Sequence, residues 1–261
     1  MNDYNKNILS TARPPIIEIL EWLEDIQLPS GVKLLDVSQA APSTPPPLSM
    51  RKHLSEVIIK DNSVHFYGPV LGRKDLRIAF RDHLRSFYTS NLIDFHNIAI
   101  TSGCNQAFGA TISTHAKEGD EIILPIPWYF NHKMWLDIFG INAIPLPNNK
   151  NLTPCIKSAE NLITEKTKAI MPIHLTGDVA DMPKIMEIAD CHQIPVIEDG
   201  CQSLLGERDG KQVSSWGVAT GFSMHPLKII NVWGDAGIIV TNDDEMNRQA
   251  RLLRNLSLIH I

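Results

Sequence analysis

The spacing of apolar residues changes along the chain. In RPPIIEILEWLEDI, from Arg13, apolar positions recur at helical intervals behind a double proline, which predicts a first helix. KLLDVSQ follows, and then APSTPPP at residues 41–47. Four prolines in those seven positions forbid a helix or a central strand, so an ordered extended connection is expected. Residues 48–60 and 73–89 return to helical spacing on either side of VHFYGPVLGRKDL. From Asn97 onward, short β-rich runs (NIAIT, EIILPI, NAIPL, KAIMPI, IPVIED, VATGFS, GIIVT) alternate with helical segments or glycine-bearing loops. Such alternation implies crossover connections. The expected fold class is α/β, with a mostly parallel central sheet covered by helices on both faces. No segment reproduces another's residues, which excludes solenoids and propellers.

Composition narrows the function classes. The 261 residues are 43% hydrophobic and 20% charged, ordinary globular usage that excludes a disordered chain. Lys and Arg total 24 against 29 Asp and Glu, for a net charge of −5, and no basic footprint for nucleic acid emerges. No apolar run reaches the roughly 18 residues of a membrane helix, and the first residues lack the basic-then-apolar layout of a secretion signal. Cys104, Cys155, Cys191 and Cys201 form no CxxC pair, and the ten histidines include no HExxH. No metal site is expected, and unpaired thiols point to a reducing, cytoplasmic compartment.

Open α/β sheets bind ligands beyond the carboxyl ends of their strands, so the residues after each β-run carry the chemistry. The run IAIT leads into Ser102-Gly103-Cys104-Asn105 and then a helical pattern. A glycine there lets the backbone approach a ligand, and free amides at a helix start attract phosphate. The segment is neither GxGxxG nor GxxxxGK[ST], which leaves a nicotinamide-dependent dehydrogenase and a P-loop enzyme without support. IPVIEDGCQS runs a buried strand into Glu198 and Asp199, with Gln202 close behind. Asp199 suits equally a helix cap or solvated loop acid and a carboxylate paired with a cation or donors. In VATGFSMHPLKIINVWGDAGIIVT, Lys228 lies among Phe222, Met224, Pro226, Leu227, Ile229, Ile230, Val232 and Trp233. Most lysines are solvated surface charges, but one in apolar surroundings can act as a neutral amine nucleophile. Ser223 offers a hydroxyl to an anion.

A phosphate cradle, a strand-end carboxylate and a desolvated lysine are the parts of a pyridoxal 5'-phosphate site. The lysine forms the Schiff base and the carboxylate pairs with the pyridinium N–H. Trp128, Tyr129 and Phe130, after the strand EIIL, offer an aromatic to lie on the ring.

Residues from about 148 to 255 resemble the DegT/DnrJ/StrS family of pyridoxal-phosphate sugar aminotransferases. The resemblance rests on ITEKTKAIMPIHLTGDVADMPKIMEIADCHQIPVIEDGCQS, GKQVSSWGVATGFSMHPLK and NVWGDAGIIVTNDDEMNRQARLLRN. It implies that Lys228 is the Schiff-base lysine and Asp199 the partner of the pyridine nitrogen. Gln202 would lie near the ring hydroxyl and Ser223 on the phosphate. A branch of that family that dehydrates sugars has a histidine at the lysine position, so Lys228 implies amino transfer. Residues 1–147 resemble instead the class I/II aminotransferases, which include aspartate aminotransferase, on LLDVSQAAP, FYGPVLGRKDLRIAFRDHL, ITSGCNQAF and GDEIILPIPWYFNHKMW. By that resemblance Gly103, Cys104 and Asn105 cradle the phosphate, Tyr129 stacks on the ring, and Tyr67 reaches the cofactor of a partner subunit, which implies a homodimer.

Both families share the fold type I large domain and continue beyond it into a small C-terminal domain. The expected organisation is an N-terminal helix and extended arm over 1–50, a cofactor-binding large domain over 51–255 and a tail over 256–261 that follows neither family. A fragment lacking the small domain, joined near residue 147, is expected. The resemblances imply an aminotransferase with an amino-acid donor. The acceptor is a keto-sugar if the second half governs and an α-keto acid if the first does. The alternative is an inert or truncated protein of the same fold that binds cofactor or a partner without turnover.

Overall fold

The computed structural model describes residues 4–254 apart from 25, 36, 38–41 and 89–92. The tail at 256–261 lies outside the described residues, as do parts of KLLDVSQ and the first residue of APSTPPP. Residues 42–47 form neither helix nor strand.

Every expected β-run contains a strand: β1 Ile98–Thr101, β2 Glu121–Ile126, β3 Asn142–Pro147, β4 Thr167–Ile170 and β5 Ile197–Asp199. A short hairpin, β6 Glu207–Arg208 with β7 Lys211–Gln212, was not foreshadowed by the apolar pattern, because its residues are polar. Then come β8 Ala219–Ser223 and β9 Gly237–Val240. Parallel pairing joins β3, β2 and β4 on one side and β5 to β8 on the other. β9 runs antiparallel between β8 and β1. Two isolated parallel bridges, Ile170 to Val196 and Ile173 to Asp199, connect the halves. KAIMPI and IPVIED thus yield shorter strands than their apolar length suggests. Pro172 and Pro195 accept hydrogen bonds from Asp199 and Ile170 but have no N–H to return, which breaks the ladder.

The helices are α1 Lys6–Ser10, α2 Pro15–Glu24, α3 Leu48–Lys60, α4 Lys74–Tyr88, α5 Gly103–His115, α6 Phe130–Phe139, α7 Ile156–Glu160, α8 Met182–His192 and α9 Asp244–Arg254. Side chains alternate across the strands to fill two layers. Ile123, Ile238 and Val240 pack with Phe80 and Leu84 of α4 and Met182 and Ile185 of α8. Ile122 and Leu124 face Phe108 and Ile112 of α5 and Leu136 of α6, while Ile239 meets Met246 and Ala250 of α9. The first three helices differ, since none of their described residues is buried. No helix among the described residues is long and apolar enough to cross a membrane.

Glu198 is the polar centre of this core, 1% exposed. One of its oxygens accepts from Trp216 N at 3.2 Å, Gly217 N at 2.8 Å and Thr220 Oγ1 at 3.2 Å. The other accepts from Ser214 N at 3.3 Å and lies 3.1 Å from Nε2 of the wholly buried His174. Ala180 N–H donates to His174 Nδ1, so the hydrogen of that ring sits on Nε2 and points at the carboxylate. Five donors thus hold one acid and, through it, the loop before β8. Removing that acid strands them in the core, and Glu198→Ala is expected to lower the unfolding free energy by about 3–5 kcal/mol in urea denaturation.

Candidate active site at the carboxyl ends of the strands

Strand register gathers the site. Thr101, the last residue of β1, lies opposite Gly237, the first of β9, and Gly237 lies opposite Ser223, the last of β8. Two residues back on β8, Gly221 pairs with Asp199 at the end of β5. The segments that leave these strands therefore emerge side by side.

After β1 the chain turns at Gly103, whose φ of +77° favours glycine, and α5 begins. Ser102 makes no side-chain cap hydrogen bond, so it satisfies none of the first amides of the helix. A Cβ on Gly237 would stand 2.6 Å from Cys104 N and 2.7 Å from Cys104 Cα. β9 presses against the first turn of α5, and only hydrogen fits between them. Cys104 is half-buried and Asn105 exposed.

Asp199 is 8% exposed. Cys201 N–H donates to its Oδ1 at 2.9 Å, and His132 Nε2 lies 3.3 Å from its Oδ2. Burial alone pushes the carboxyl up, but His132 and the Cys201 donors outweigh it and hold the acid below the usual carboxylate value. Asp199 is a paired carboxylate and not a solvated loop acid. His132 is buried against Phe108, with ring centroids 4.8 Å apart, and its Nδ1 has no hydrogen-bond partner among the described residues.

Tyr129 precedes α6 and is 49% exposed, its ring 5.4 Å from that of His132 in a T-shaped contact. Its hydroxyl accepts from Asn131 at 2.9 Å. Burial, with Cys201, Cys104 and Asp199 nearby, raises its ionisation above the ordinary phenol value. Cys104 Sγ and Cys201 Sγ lie 3.1 Å apart, which joins the start of α5 to the end of β5.

Lys228 lies on the loop from Met224 to Ala236. That loop is closed by Met224 N–H to Ala236 O at 2.8 Å and Val232 N–H to Met224 O at 2.9 Å. The lysine is half-buried, and its neighbours Leu227, Ile229 and Trp233 are exposed. Of the other apolar neighbours expected to enclose it, Phe222 and Met224 are buried and Ile230 and Val232 pack against the core, so only one side of the apolar surround faces outward. Asp235 brings the end of the loop against the turn at Gly103, its Cβ 3.5 Å from where a Cβ on that glycine would stand. Ser223 Oγ accepts from His225 N–H at 3.3 Å.

Gln202 is exposed beside Cys201, and Tyr67 is fully exposed, at 102%. The structure thus draws Cys104, Asp199 and Tyr129 into one constellation, with Gly103 and Ser223 at its edge. Gln202, Asn105 and Tyr67 present their side chains to solvent instead. His132 and Cys201 are the residues that sequence reasoning passed over. HKMW looked like an isolated histidine, although His132 falls three residues after Tyr129, within the first turn of the helix that follows β2. Among the described residues, no cluster of three or more His, Cys, Asp or Glu side chains could hold a metal ion.

The model of the DegT/DnrJ/EryC1/StrS aminotransferase family matches residues 80–260. The chain belongs to that family. The match begins well before residue 148 and runs through residue 147 without a break in its bounds. A relative from Streptomyces venezuelae, dTDP-3-amino-3,4,6-trideoxy-alpha-D-glucose transaminase, is 32% identical over 165 residues, which is 61% of this chain and 42% of the relative. The chain spans less than half the length of the curated relatives it matches. NtdA of Bacillus subtilis, solved with bound cofactor PMP, superposes with a TM-score of 0.64 at 24% identity, over 78% of this chain and 44% of that one. The aspartate aminotransferase of Thermus thermophilus superposes with a TM-score of 0.78 at 16% identity, over 99% and 69%. The fold is therefore the one shared by DegT/DnrJ/EryC1/StrS proteins and aspartate aminotransferases.

Because its folded value is depressed, Asp199 contributes stability that is complete above the unfolded carboxylate value of about 3.9 and is lost as pH falls through the lower folded value. In His132→Phe the largest offset to burial is lost and only the Cys201 donors remain. The carboxyl rises from its depressed value, and the variant is destabilised at neutral pH by about 1–3 kcal/mol, a deficit that shrinks as the acid protonates. Urea midpoints measured from about pH 3 to pH 8 for both proteins check this.

Proposed function

We propose that this chain carries the pyridoxal-phosphate site of an aminotransferase that moves an amino group from an amino-acid donor to a keto-sugar. The observation that carries the reading is Asp199, a buried carboxylate kept below its usual range beside an uncapped helix start. A protonated ring nitrogen needs such an acid, and a phosphate needs such a helix start. The residues present fit the cofactor. PMP is the aminated form of pyridoxal phosphate, and its presence in NtdA supports the same reading.

In this assignment the amides of Gly103, Cys104 and Asn105 and the hydroxyl of Ser223 hold the phosphate. Tyr129 would cover one face of the ring, and Gln202, exposed beside Cys201, would have to turn from solvent to serve the ring hydroxyl. Asp199 keeps a proton on the ring nitrogen. Pyridoxal phosphate, when bound, supplies an electron sink for the charge that develops at the substrate α-carbon. Lys228 would hold the cofactor, and its amine would move the proton to and from that carbon as general base and acid. The activity named for the Streptomyces venezuelae relative supports a keto-sugar acceptor over an α-keto acid.

A homodimer belongs to the same proposal. The exposed Tyr67 would reach the partner's cofactor. The bare apolar side chains Ile17, Leu20 and Trp22 of α2 and Ile58 and Ile59 of α3 suit a second subunit. Residues 1–50 then act as the arm and 51–255 as the cofactor domain.

Purified protein given pyridoxal phosphate is expected to develop a visible absorbance band that borohydride fixes on Lys228, located by peptide mass. Lys228→Ala should show no fixed label and turnover lowered by about 10²–10⁴-fold. A folded sample without the band overturns the reading. A label without turnover on any keto-sugar or α-keto acid returns the inert alternative.

A further inference from the structure

Two cysteines meet inside this site. Cys104 and Cys201 stand 97 positions apart in sequence, yet their sulfurs are 3.1 Å from each other. The other two cysteines serve as contrasts: Cys191 is exposed on α8 and Cys155 half-buried ahead of α7. Neither thiol of the close pair has a role in the assigned chemistry, which uses the backbone amides of those residues.

Both members are fixed from behind. Cys104 lies on the first turn of α5, where the absence of a side chain at Gly237 sets the approach of β9. Cys201 is tied through its N–H to Asp199 Oδ1. Opposite them, a Cβ on Gly221 would stand 3.4 Å from Cys104 Sγ, so that glycine leaves the sulfur its space. A disulfide has a sulfur separation of about 2.05 Å, so the pair needs to close by only about 1 Å. Little ordering entropy remains to be lost, because rigid elements already present the two sulfurs to each other.

The pair is also polarised. The hydrogen bond to Cys104, then burial, then the charge of Asp199 push the Cys201 thiol well up. Cys201 therefore keeps its hydrogen at neutral pH, while in the contact itself either sulfur can donate.

We propose that Cys104 and Cys201 form a dithiol oxidation site, converted by a small hydroperoxide into a disulfide and returned to thiols by a thiol reductant. In the first step Cys104 sulfur attacks peroxide oxygen. The O–O bond breaks, one oxygen stays with its hydrogen on Cys104 as a sulfenic acid, and the other takes the Cys104 proton and leaves as water, or as an alcohol from an organic hydroperoxide. In the second, Cys201 sulfur displaces that hydroxyl, which departs as water with the Cys201 proton while the S–S bond forms. Two electrons pass from the sulfurs to the peroxide. The bond fastens the start of α5 to the end of β5. On the reading proposed above, it links the phosphate cradle to the residues that hold Asp199. Its effect on cofactor uptake rests on that reading; its formation does not.

The test treats the reduced protein with hydrogen peroxide, blocks remaining thiols with N-ethylmaleimide, and maps peptides without reduction. The expected product joins Cys104 to Cys201, leaves Cys155 and Cys191 outside the bridge, and reverts with dithiothreitol. Cys104→Ser and Cys201→Ser should each abolish the bridge. In Cys201→Ser the sulfenic acid on Cys104 should persist long enough to be trapped by dimedone. Full alkylation of Cys104 and Cys201 under conditions that oxidise Cys191 would overturn the proposal, as would a disulfide that recruits Cys155 or Cys191 instead. In a parallel arm, oxidised protein is expected to take up severalfold less pyridoxal phosphate, read as borohydride-fixed label on Lys228. Equal labelling would overturn the effect on uptake. Absence of label in the reduced protein counts against the cofactor reading alone, because the peptide map still decides the disulfide.

Discussion

A carboxylate shut away from water must be met by donors from every side, and meeting that need at Glu198 organises the middle of this molecule. Its donors come from the loop before β8, from β8 itself and from His174 after β4. A short strand of three residues would otherwise be weakly positioned, having lost part of its ladder to Pro172 and Pro195. Side chains alternate across a strand, so the next residue, Asp199, turns to the opposite face and meets His132. Two adjacent acids thus do separate work. One secures the strand from one face, and the other presents its charge on the face where α5 and α6 begin.

The fold was largely legible because its signal is repetitive. Seven β-runs separated by helical or glycine-bearing segments leave few alternatives to a parallel sheet covered on both faces, and the two core layers follow from alternation such as Ile122, Ile123 and Leu124. The antiparallel setting of β9 was not legible, because GIIVT has the same apolar character in either direction. The polar hairpin at β6 and β7 lacked the signal altogether.

Within the site, residues at strand ends were readable and residues recruited by packing were not. Asp199 could be singled out because an acid that closes an apolar strand needs a partner, but the partner, His132, sits on a helix 67 positions earlier, and local spacing carries no trace of that meeting. Cys201 looked like an ordinary thiol until the sheet brought Cys104 beside it. Around Lys228 the apolar run divides: Phe222, Met224, Ile230 and Val232 turn to the core, whereas Leu227, Ile229 and Trp233 turn outward.

The position of β1 has a consequence for the order of assembly. It lies at the edge of the sheet, and among the described strands it pairs with β9, so Thr101 must find Gly237 across more than half of the chain. β8 and β9, by contrast, are consecutive and can pair locally, so the lysine loop between them needs no distant partner to close. Long-range pairing of this kind carries the larger entropic cost and is slow. The lysine loop can therefore exist before the helix start that faces it, and the anion-attracting amides arrive only when the edge strand docks. On the proposed assignment, ligand capture would report completion of the sheet, not merely the presence of its parts.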